Sequence, residues 1–312
     1  MNILVYGAGV LGSYLAHVLK RGGHEVTVLA RGRRLEELRE TGLVIRHYLQ
    51  RKTTCDTVRL TDAYGVHDAY DAVFVVVRRS QLDEILPQLC QNETDPLIVL
   101  VGNNINACET LQFIQSHSRV PKRVAFAFQT TGGRRENGIV ISVHKGGGKL
   151  TAGSLDGDPA CEQQLRQAFV GTRLKLALRS DMDAWLKSHA AFVLPIAFVC
   201  YRANGDLKRV ARDKAVIHRA IDAMDEAYRM LEACGFPPPA EDVEFVRRHR
   251  FRCFWMLKLM AATPIGRLAA SDHAMNAVDE MRRLYDDFCV FKECANIVTP
   301  AWDELSKYMP EA

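Results

Sequence analysis

The sequence predicts an α/β protein: an N-terminal Rossmann-type doubly wound sheet followed by an all-helical C-terminal domain. Three observations carry that expectation. A glycine-rich turn, Gly7-Ala8-Gly9-Val10-Leu11-Gly12, stands between a short apolar strand and a helix. Apolar runs then alternate with helical segments through the first half, the pattern of right-handed βαβ crossovers. From about Ser180 the apolar residues recur instead at i, i+3 and i+4. A chain of 312 residues suits two domains, at roughly 100–200 residues each, placed here at 1–179 and 180–312.

The elements follow in order. Residues 2–6 form a strand, and residues 11–21 a helix closed by Gly22-Gly23, since glycine favours the left-handed turn past a helix end. Residues 25–30 are the second strand and 34–41 a helix, with 43–47 and 57–60 as strands of a small excursion. The run Ala72-Val73-Phe74-Val75-Val76-Val77 is continuously apolar, as a parallel strand buried on both faces is. A helix at 81–90, a strand at 96–101 and a helix at 107–116 come next. Short strands at 124–128, 139–144 and 149–152, separated by Gly132-Gly133 and Gly146-Gly147-Gly148, read as a meander at the sheet edge. A helix at 161–169 and a strand at 174–178 close the domain. The second domain contains helices at 182–200, 217–234, 241–260 and 276–296. Residues 190–201 are apolar but too short for a bilayer, which takes about 20 residues, so they read as a buried helix.

Composition narrows the function classes. Apolar residues make up 48% and charged residues 25%, the balance of a soluble globular chain. The net charge of +4 is too modest to mark a nucleic-acid binder, and it fits a mildly positive site for an anionic cofactor or acid substrate. The nine cysteines form no Cys-x-x-Cys pair and no zinc-spaced cluster, so reduced thiols and no metal are expected. With no leader-like segment before the first strand, the expectation is a cytoplasmic protein with no membrane partner. A homodimer is a further reading, resting on the apolar content of the helical half.

The turn at Gly7–Gly12 has the context that gives such a motif its meaning: it leaves a strand and opens a helix. The first glycine makes the tight turn, the second lets a pyrophosphate approach the backbone, and the third packs helix on strand. The helix N-terminus then offers unpaired N–H groups to the phosphates. The residue after the second strand selects the cofactor. NAD-binding chains place an acid there for the ribose 2′-hydroxyl, whereas here the position is Arg31 and no acid occurs before Glu36. A guanidinium pairs with a 2′-phosphate, so NADP (NADPH) is the expected cofactor, held by Gly7, Ala8, Gly9, Val10, Leu11, Gly12 and Arg31. Arg33 and Arg34 read as exposed residues at a helix start.

These residues resemble the ketopantoate reductase (2-dehydropantoate 2-reductase) family. The opening Ile3–Gly12 with Arg31 is similar to that family's NADPH site. Arg78-Arg79-Ser80-Gln81 after the strand at 72–77 resembles its next strand-to-helix turn, where the family usually has a Lys near the cofactor. Gly102-Asn103-Asn104 resembles its Asn-Gly turn beside the nicotinamide. Trp185-Leu186-Lys187 opens the helical half as the family's Trp-x-Lys does. The resemblance therefore implies Lys187 as proton donor, Asn103 as a cofactor- and substrate-orienting amide, and Arg78 near the cofactor. The substrate half departs from the pattern. Two substrate-binding asparagines are replaced by Ala191 and Pro195, and the family's Ser-Ser-Met-x-Gln-Asp segment has no counterpart in Met260-Ala261-Ala262-Thr263-Pro264-Ile265-Gly266.

Reducing a carbonyl needs a hydride donor against the carbon and an acid for the developing alkoxide. Lys187 is the candidate acid, since a lysine buried near other cations gives up its proton more readily. A surface lysine paired with Asp181 or Asp183 is the plainer alternative. His189 reads as a packed histidine. Arg247-Arg248-His249-Arg250 and Arg252, interleaved with Phe245, Phe251, Phe254 and Trp255, read as an amphipathic helix, or as a basic wall facing an acidic substrate. The expectation is an NADPH-dependent reductase of a small 2-oxo acid or related carbonyl, with its site in a cleft between the domains. The alternatives are a non-catalytic NADPH-binding sensor and a reductase of a bulkier carbonyl.

Overall fold

In a computed structural model we describe residues 1–311, leaving aside the side chains of Ile265, Ala269 and His273. The chain forms two compact units. The first holds Met1–Gly102 and Asn106–Met182; the second holds Asn103–Ile105 and the chain from Asp183 onward.

In the first unit the strands are β1 (Asn2–Tyr6), β2 (Glu25–Leu29), β3 (Leu43–His47), β4 (Lys52–Asp56), β5 (Arg59–Thr61), β6 (Ala72–Val75), β7 (Leu97–Val101), β8 (Arg123–Gln129), β9 (Gly132–Glu136), β10 (Ile139–Val143), β11 (Lys149–Gly153) and β12 (Lys175–Leu178). The helices are α1 (Val10–Arg21), α2 (Gly32–Thr41), α3 (Arg79–Gln91), α4 (Ala107–His117) and α5 (Pro159–Phe169). Eight strands form one sheet in the order β12-β11-β8-β7-β6-β1-β2-β5. All neighbours in it run parallel except β8 and β11. Strand order reverses between β1 and β6, and ligands of open α/β sheets bind at the carboxyl end of such a switch point. The central strands explain themselves: Ile3, Leu4, Val5, Val73, Phe74, Leu97, Ile98 and Val99 are all fully buried. Their continuous apolar runs fit a sheet covered on both faces.

The Gly-rich stretch after β8 does not form an edge meander. β9 and β10 leave the main sheet and join β3 and β4 in a second, four-stranded sheet, ordered β4-β3-β10-β9, which packs on α1. The sequence reading has strands at β3 and β10 but none at β4 or β9, where it places a connection and a glycine turn, and it holds no sign of the parallel pairing of β10 with β3, almost a hundred positions apart.

The second unit is helical: α6 (Met182–Arg202), α7 (Leu207–Arg212), α8 (Lys214–Ala233), α9 (Ala240–Arg247), α10 (Arg250–Ala262), α11 (Pro264–Gly266), a π-helical turn at Arg267–Ser271, α12 (Asp272–Asn276), α13 (Val278–Ala295) and α14 (Pro300–Ser306). Its core gathers Phe198, Tyr228, Phe288 and Trp302. The single helix expected at 241–260 is broken at Arg248-His249 into α9 and α10. Nor is α10 cleanly amphipathic: Phe254 is buried while Phe251 is 75% exposed. α6 matches the helix expected at 182–200, ending two residues later. It is long and apolar enough to cross a bilayer by length and composition alone, but 61% of its apolar window is buried inside the protein.

Candidate functional site

The glycine turn sits at the switch point of the main sheet. Gly7 has φ 113°, and a Cβ built on it would lie 2.3 Å from the Val76 carbonyl oxygen. A Cβ on Gly12 would lie 2.0 Å from the carbonyl oxygen of Gly7. Both positions are therefore closed to any side chain by backbone. Gly9 differs: a Cβ there meets nothing within 4 Å. Gly9 also caps α1 with no side-chain hydrogen bond to the first turn. The backbone thus presents an open, donor-rich helix N-terminus where Gly9 leaves room, with Ala8, Val10 and Leu11 completing the turn. These residues fit the pyrophosphate of a dinucleotide.

Arg31 follows β2 and caps α2. Its Nη2 donates to the Tyr6 hydroxyl at 2.8 Å, and its Nε to the Asp62 carbonyl at 3.3 Å. The guanidinium also lies over the Tyr6 ring, 5.7 Å from the centroid. The Tyr6 hydroxyl in turn donates to Gln88 Oε1 at 2.9 Å. Tyr6 closes β1, so this chain fixes an exposed guanidinium beside the carboxyl ends of β1 and β2. Neither Tyr6 nor Gln88 was singled out from the sequence. The available signal was a tyrosine directly before the glycine turn.

Arg33 is exposed and pairs with Glu37 at 3.2 Å. Arg34, expected at the surface, is buried. Its Nε donates to the Ala8 carbonyl at 3.1 Å, its Nη1 to the Gly138 carbonyl at 2.8 Å, and its Nη2 to Ser13 Oγ at 3.3 Å. The α2 geometry turns it inward, where the carbonyls of the glycine turn and of the β9–β10 hairpin satisfy a fork of donors. Burial pushes its pKa down, though Glu37 opposes this. Arg34 is thus a structural staple of the glycine turn. Arg78 is exposed at the N-cap of α3, just past β6, and its backbone N–H donates to Gln81 Oε1 at 3.4 Å. Its neighbour Arg79 is the buried one, and Arg79 pairs with Asp83 at 2.8 Å.

The second unit contains the other two candidates. Lys187 is 4% exposed on α6. Its ammonium meets an anion and a ring rather than other cations: Asp183 Oδ1 at 2.5 Å, and the Phe236 ring centroid at 4.9 Å. Asp181 is occupied elsewhere, by Arg179 at 2.7 Å. Asn103 donates from Nδ2 to Glu280 Oε1 at 3.1 Å, and Glu280 is buried in the first turn of α13. No periodic or spacing signal in the sequence pairs positions 103 and 280. Ala191 and Pro195, at the two altered positions, are buried within α6. His189 stacks on Trp185 at 5.1 Å, and desolvation pushes its pKa down to about 4.

Two arginines of the basic stretch are engaged within the helical unit. Arg247 pairs with Asp225 at 2.5 Å and with Glu232 at 2.9 Å, and Arg250 pairs with Asp222. All three acids lie on α8, so these arginines tie α9 and α10 to their neighbour. Among the described residues, no group of His, Cys, Asp and Glu is arranged to hold a metal ion.

A Rossmann unit with an open glycine turn, followed by a helical unit, defines a dinucleotide-binding oxidoreductase architecture. The chain belongs to the ketopantoate reductase family: residues 3–157 match the family described as Ketopantoate reductase PanE/ApbA. It is 49% identical over 249 residues to the Uncharacterized oxidoreductase YkpB of Bacillus subtilis (strain 168), covering 78% of this chain and 80% of that one. Three solved structures show the same fold. A PanE/ApbA family ketopantoate reductase from Ralstonia eutropha JMP134 aligns with TM-score 0.76 and 19% identity, covering 99% of this chain and 97% of that one. D-mandelate dehydrogenase, solved with NADH and anilino(oxo)acetate, aligns with TM-score 0.76 and 16% identity over the same shares. The 2-dehydropantoate 2-reductase of Methylococcus capsulatus aligns with TM-score 0.71 and 15% identity, covering 99% and 96%.

Proposed function

We propose that this protein is an NADPH-dependent reductase of a small 2-oxo acid or related carbonyl. The observation that carries the cofactor choice is Arg31, an exposed guanidinium pinned by Tyr6 beside the open glycine turn. The first-turn N–H groups of α1 bind the pyrophosphate, with Gly9 as the point of closest approach. Arg31 pairs with the 2′-phosphate, and Arg78 adds positive charge at the next strand end. A bound nicotinamide dinucleotide supplies the hydride. Lys187 Nζ gives its proton to the oxygen of the carbonyl as charge develops there. Asp183, one helical turn before it, fixes the direction of that ammonium. Asn103 orients the substrate through its amide, which Glu280 holds in one rotamer. A fold neighbour that binds NADH together with anilino(oxo)acetate supports an oxo-acid class of substrate.

A second reading, a non-catalytic NADPH sensor, draws on the engagement of Lys187 with Asp183 and on the apolar Ala191 and Pro195. Two measurements separate the readings. Dissociation constants for NADPH and NADH with wild type and Arg31→Ala test the cofactor assignment. Loss of one charge-assisted pair weakens NADPH by roughly tenfold to a hundredfold and leaves NADH nearly unchanged. Equal weakening of both would refute the role of Arg31. Turnover on a panel of small 2-oxo acids then distinguishes a reductase from a sensor, which binds NADPH and turns over none of them.

A further inference from the structure

Two cysteines from distant parts of the sequence meet in the helical unit, close to Lys187. Cys234 caps the C-terminus of α8, and Cys294 lies in the last turn of α13. The Cys234 thiol donates to the Phe291 carbonyl at 3.2 Å and also hydrogen-bonds the Cys294 side chain. Both are free thiols, Cys234 half-buried and Cys294 exposed. Burial, and then the contact with Cys294, push the Cys234 thiol up to about 12. An accessible thiol beside a second, resolving thiol is the arrangement that responds reversibly to oxidants.

Cys234 is tied closely to the proposed acid. Gly235 takes a left-handed φ of 82°, and its N–H donates to the Glu232 carbonyl at 3.1 Å. The Phe236 N–H donates to the Leu231 carbonyl at 2.8 Å. These two bonds close a Schellman turn, which fixes Phe236 relative to the helix end. The Phe236 ring centroid then lies 5.5 Å from that of Phe291 and 4.9 Å from the Lys187 ammonium. Cys234 and Phe236 thus lean on the same residue of α13, and Phe236 packs on Lys187.

We infer that Cys234 and Cys294 form a reversible dithiol–disulfide site whose oxidation displaces Phe236 from Lys187. Its effect on turnover rests on the reductase reading, whereas the thiol chemistry does not. With hydrogen peroxide as oxidant, the Cys294 sulfur attacks one peroxide oxygen and the O–O bond breaks. The leaving oxygen takes the thiol proton as water, and a sulfenic acid remains. The Cys234 sulfur then attacks the Cys294 sulfur, the S–O bond breaks, and the hydroxyl leaves with the Cys234 proton as a second water. The two thiols lose two electrons and two protons, and one peroxide becomes two waters. The covalent bond draws the sulfurs closer than a hydrogen bond holds them and removes the proton that Cys234 donated to Phe291. The helix cap must move, and the Schellman turn carries Phe236 with it.

The full-length protein, compared after dithiothreitol and after hydrogen peroxide, tests the assignment. Trypsin places Cys234 in the peptide 230–247 and Cys294 in the peptide 293–307. The expected result is a disulfide linking these two peptides, reversed by dithiothreitol and absent in Cys294→Ser. Oxidation should also speed acetylation of Lys187 by acetic anhydride severalfold. It should lower kcat by about tenfold or more with NADPH affinity unchanged, because a displacement of about 1 Å at a catalytic group costs that much. Cys294→Ser should keep the turnover of the reduced protein and lose both responses. No linked peptide, or linked peptides with Lys187 labelling unchanged, would overturn the site. A reduced protein that turns over no 2-oxo acid overturns the reductase reading alone, since peptide linkage and Lys187 labelling need no turnover.

Discussion

The two units carry their chemistry in different ways. In the first, the proposed function resides mainly in backbone, three glycines at fixed spacing and a helix end with no side-chain cap, joined by the side chain of one arginine after a strand. In the second, it resides in side chains that become partners only on folding, Lys187 with Asp183 and Phe236, and Asn103 with Glu280. Backbone requirements restrict residue type position by position, so they leave a readable pattern. Side-chain partnerships restrict only the pair, and the partner of Asn103 lies 177 positions away.

Glycine substitutions should expose this difference most strongly. Gly12→Ala forces a Cβ to within 2.0 Å of a backbone oxygen, so both fold and cofactor site must shift, with a stability loss on the order of 3 kcal/mol. Gly9→Ala has open space and an ordinary φ of −70°, so thermal melting should stay close to wild type. Its NADPH affinity should nevertheless fall at least about tenfold, because the methyl occupies the approach of the pyrophosphate. A Gly9→Ala protein that binds NADPH normally would remove the glycine turn from the cofactor site.

Acid should weaken the first unit next. His17, His47 and His144 are buried against one another and against Tyr14 where α1 meets the second sheet. The His47 and His144 rings exchange a hydrogen bond at 3.0 Å, and His17 binds Asp56, which Arg21 also holds. Desolvation is the largest cause pushing all three downward, His47 to about 4, with Lys52 adding to it and Asp56 opposing it at His17 and His47. Groups kept neutral in the fold contribute fully above their unfolded value of 6.5 and lose that contribution as pH falls toward about 4. For His47 the loss approaches about 3 kcal/mol at the acid end. Melting temperature should therefore drop between pH 7 and about pH 5, and His47→Gln should flatten the slope. An identical slope in His47→Gln would assign the acid sensitivity elsewhere.

The smallest expected effect is at Glu280. Glu280→Gln keeps a partner for Asn103 but removes the charge, so kcat should fall severalfold while NADPH affinity holds. A change in NADPH affinity of equal size would make Glu280 a cofactor-site residue instead.

Much of the first unit is legible in the sequence. The switch-point strands announce themselves as apolar runs, and Gly7, Gly9, Gly12 and Arg31 stand where spacing put them. Arg34 was misread because periodicity cannot tell that carbonyls of a glycine turn and a distant hairpin await a buried guanidinium. The second sheet was missed for a related reason, since its parallel β3–β10 pairing joins segments far apart in the chain. In the helical unit the apolar period located the helices, yet it missed the break between α9 and α10. The α8 acids that engage Arg247 and Arg250 could not be matched to them by sequence alone. The burial of Lys187 against Asp183 was half visible, as an i, i+4 spacing that says nothing of depth.

The most direct test of the central claim is NADPH oxidation on the best 2-oxo acid of the panel, comparing wild type with Lys187→Ala, with Asp183→Asn as a control for disruption of the pair. Loss of a positioned general acid lowers turnover by about 10²–10⁴-fold. The account predicts that collapse in Lys187→Ala, with NADPH affinity retained and a smaller loss in Asp183→Asn. Turnover within a few-fold of wild type in a folded Lys187→Ala protein would contradict it.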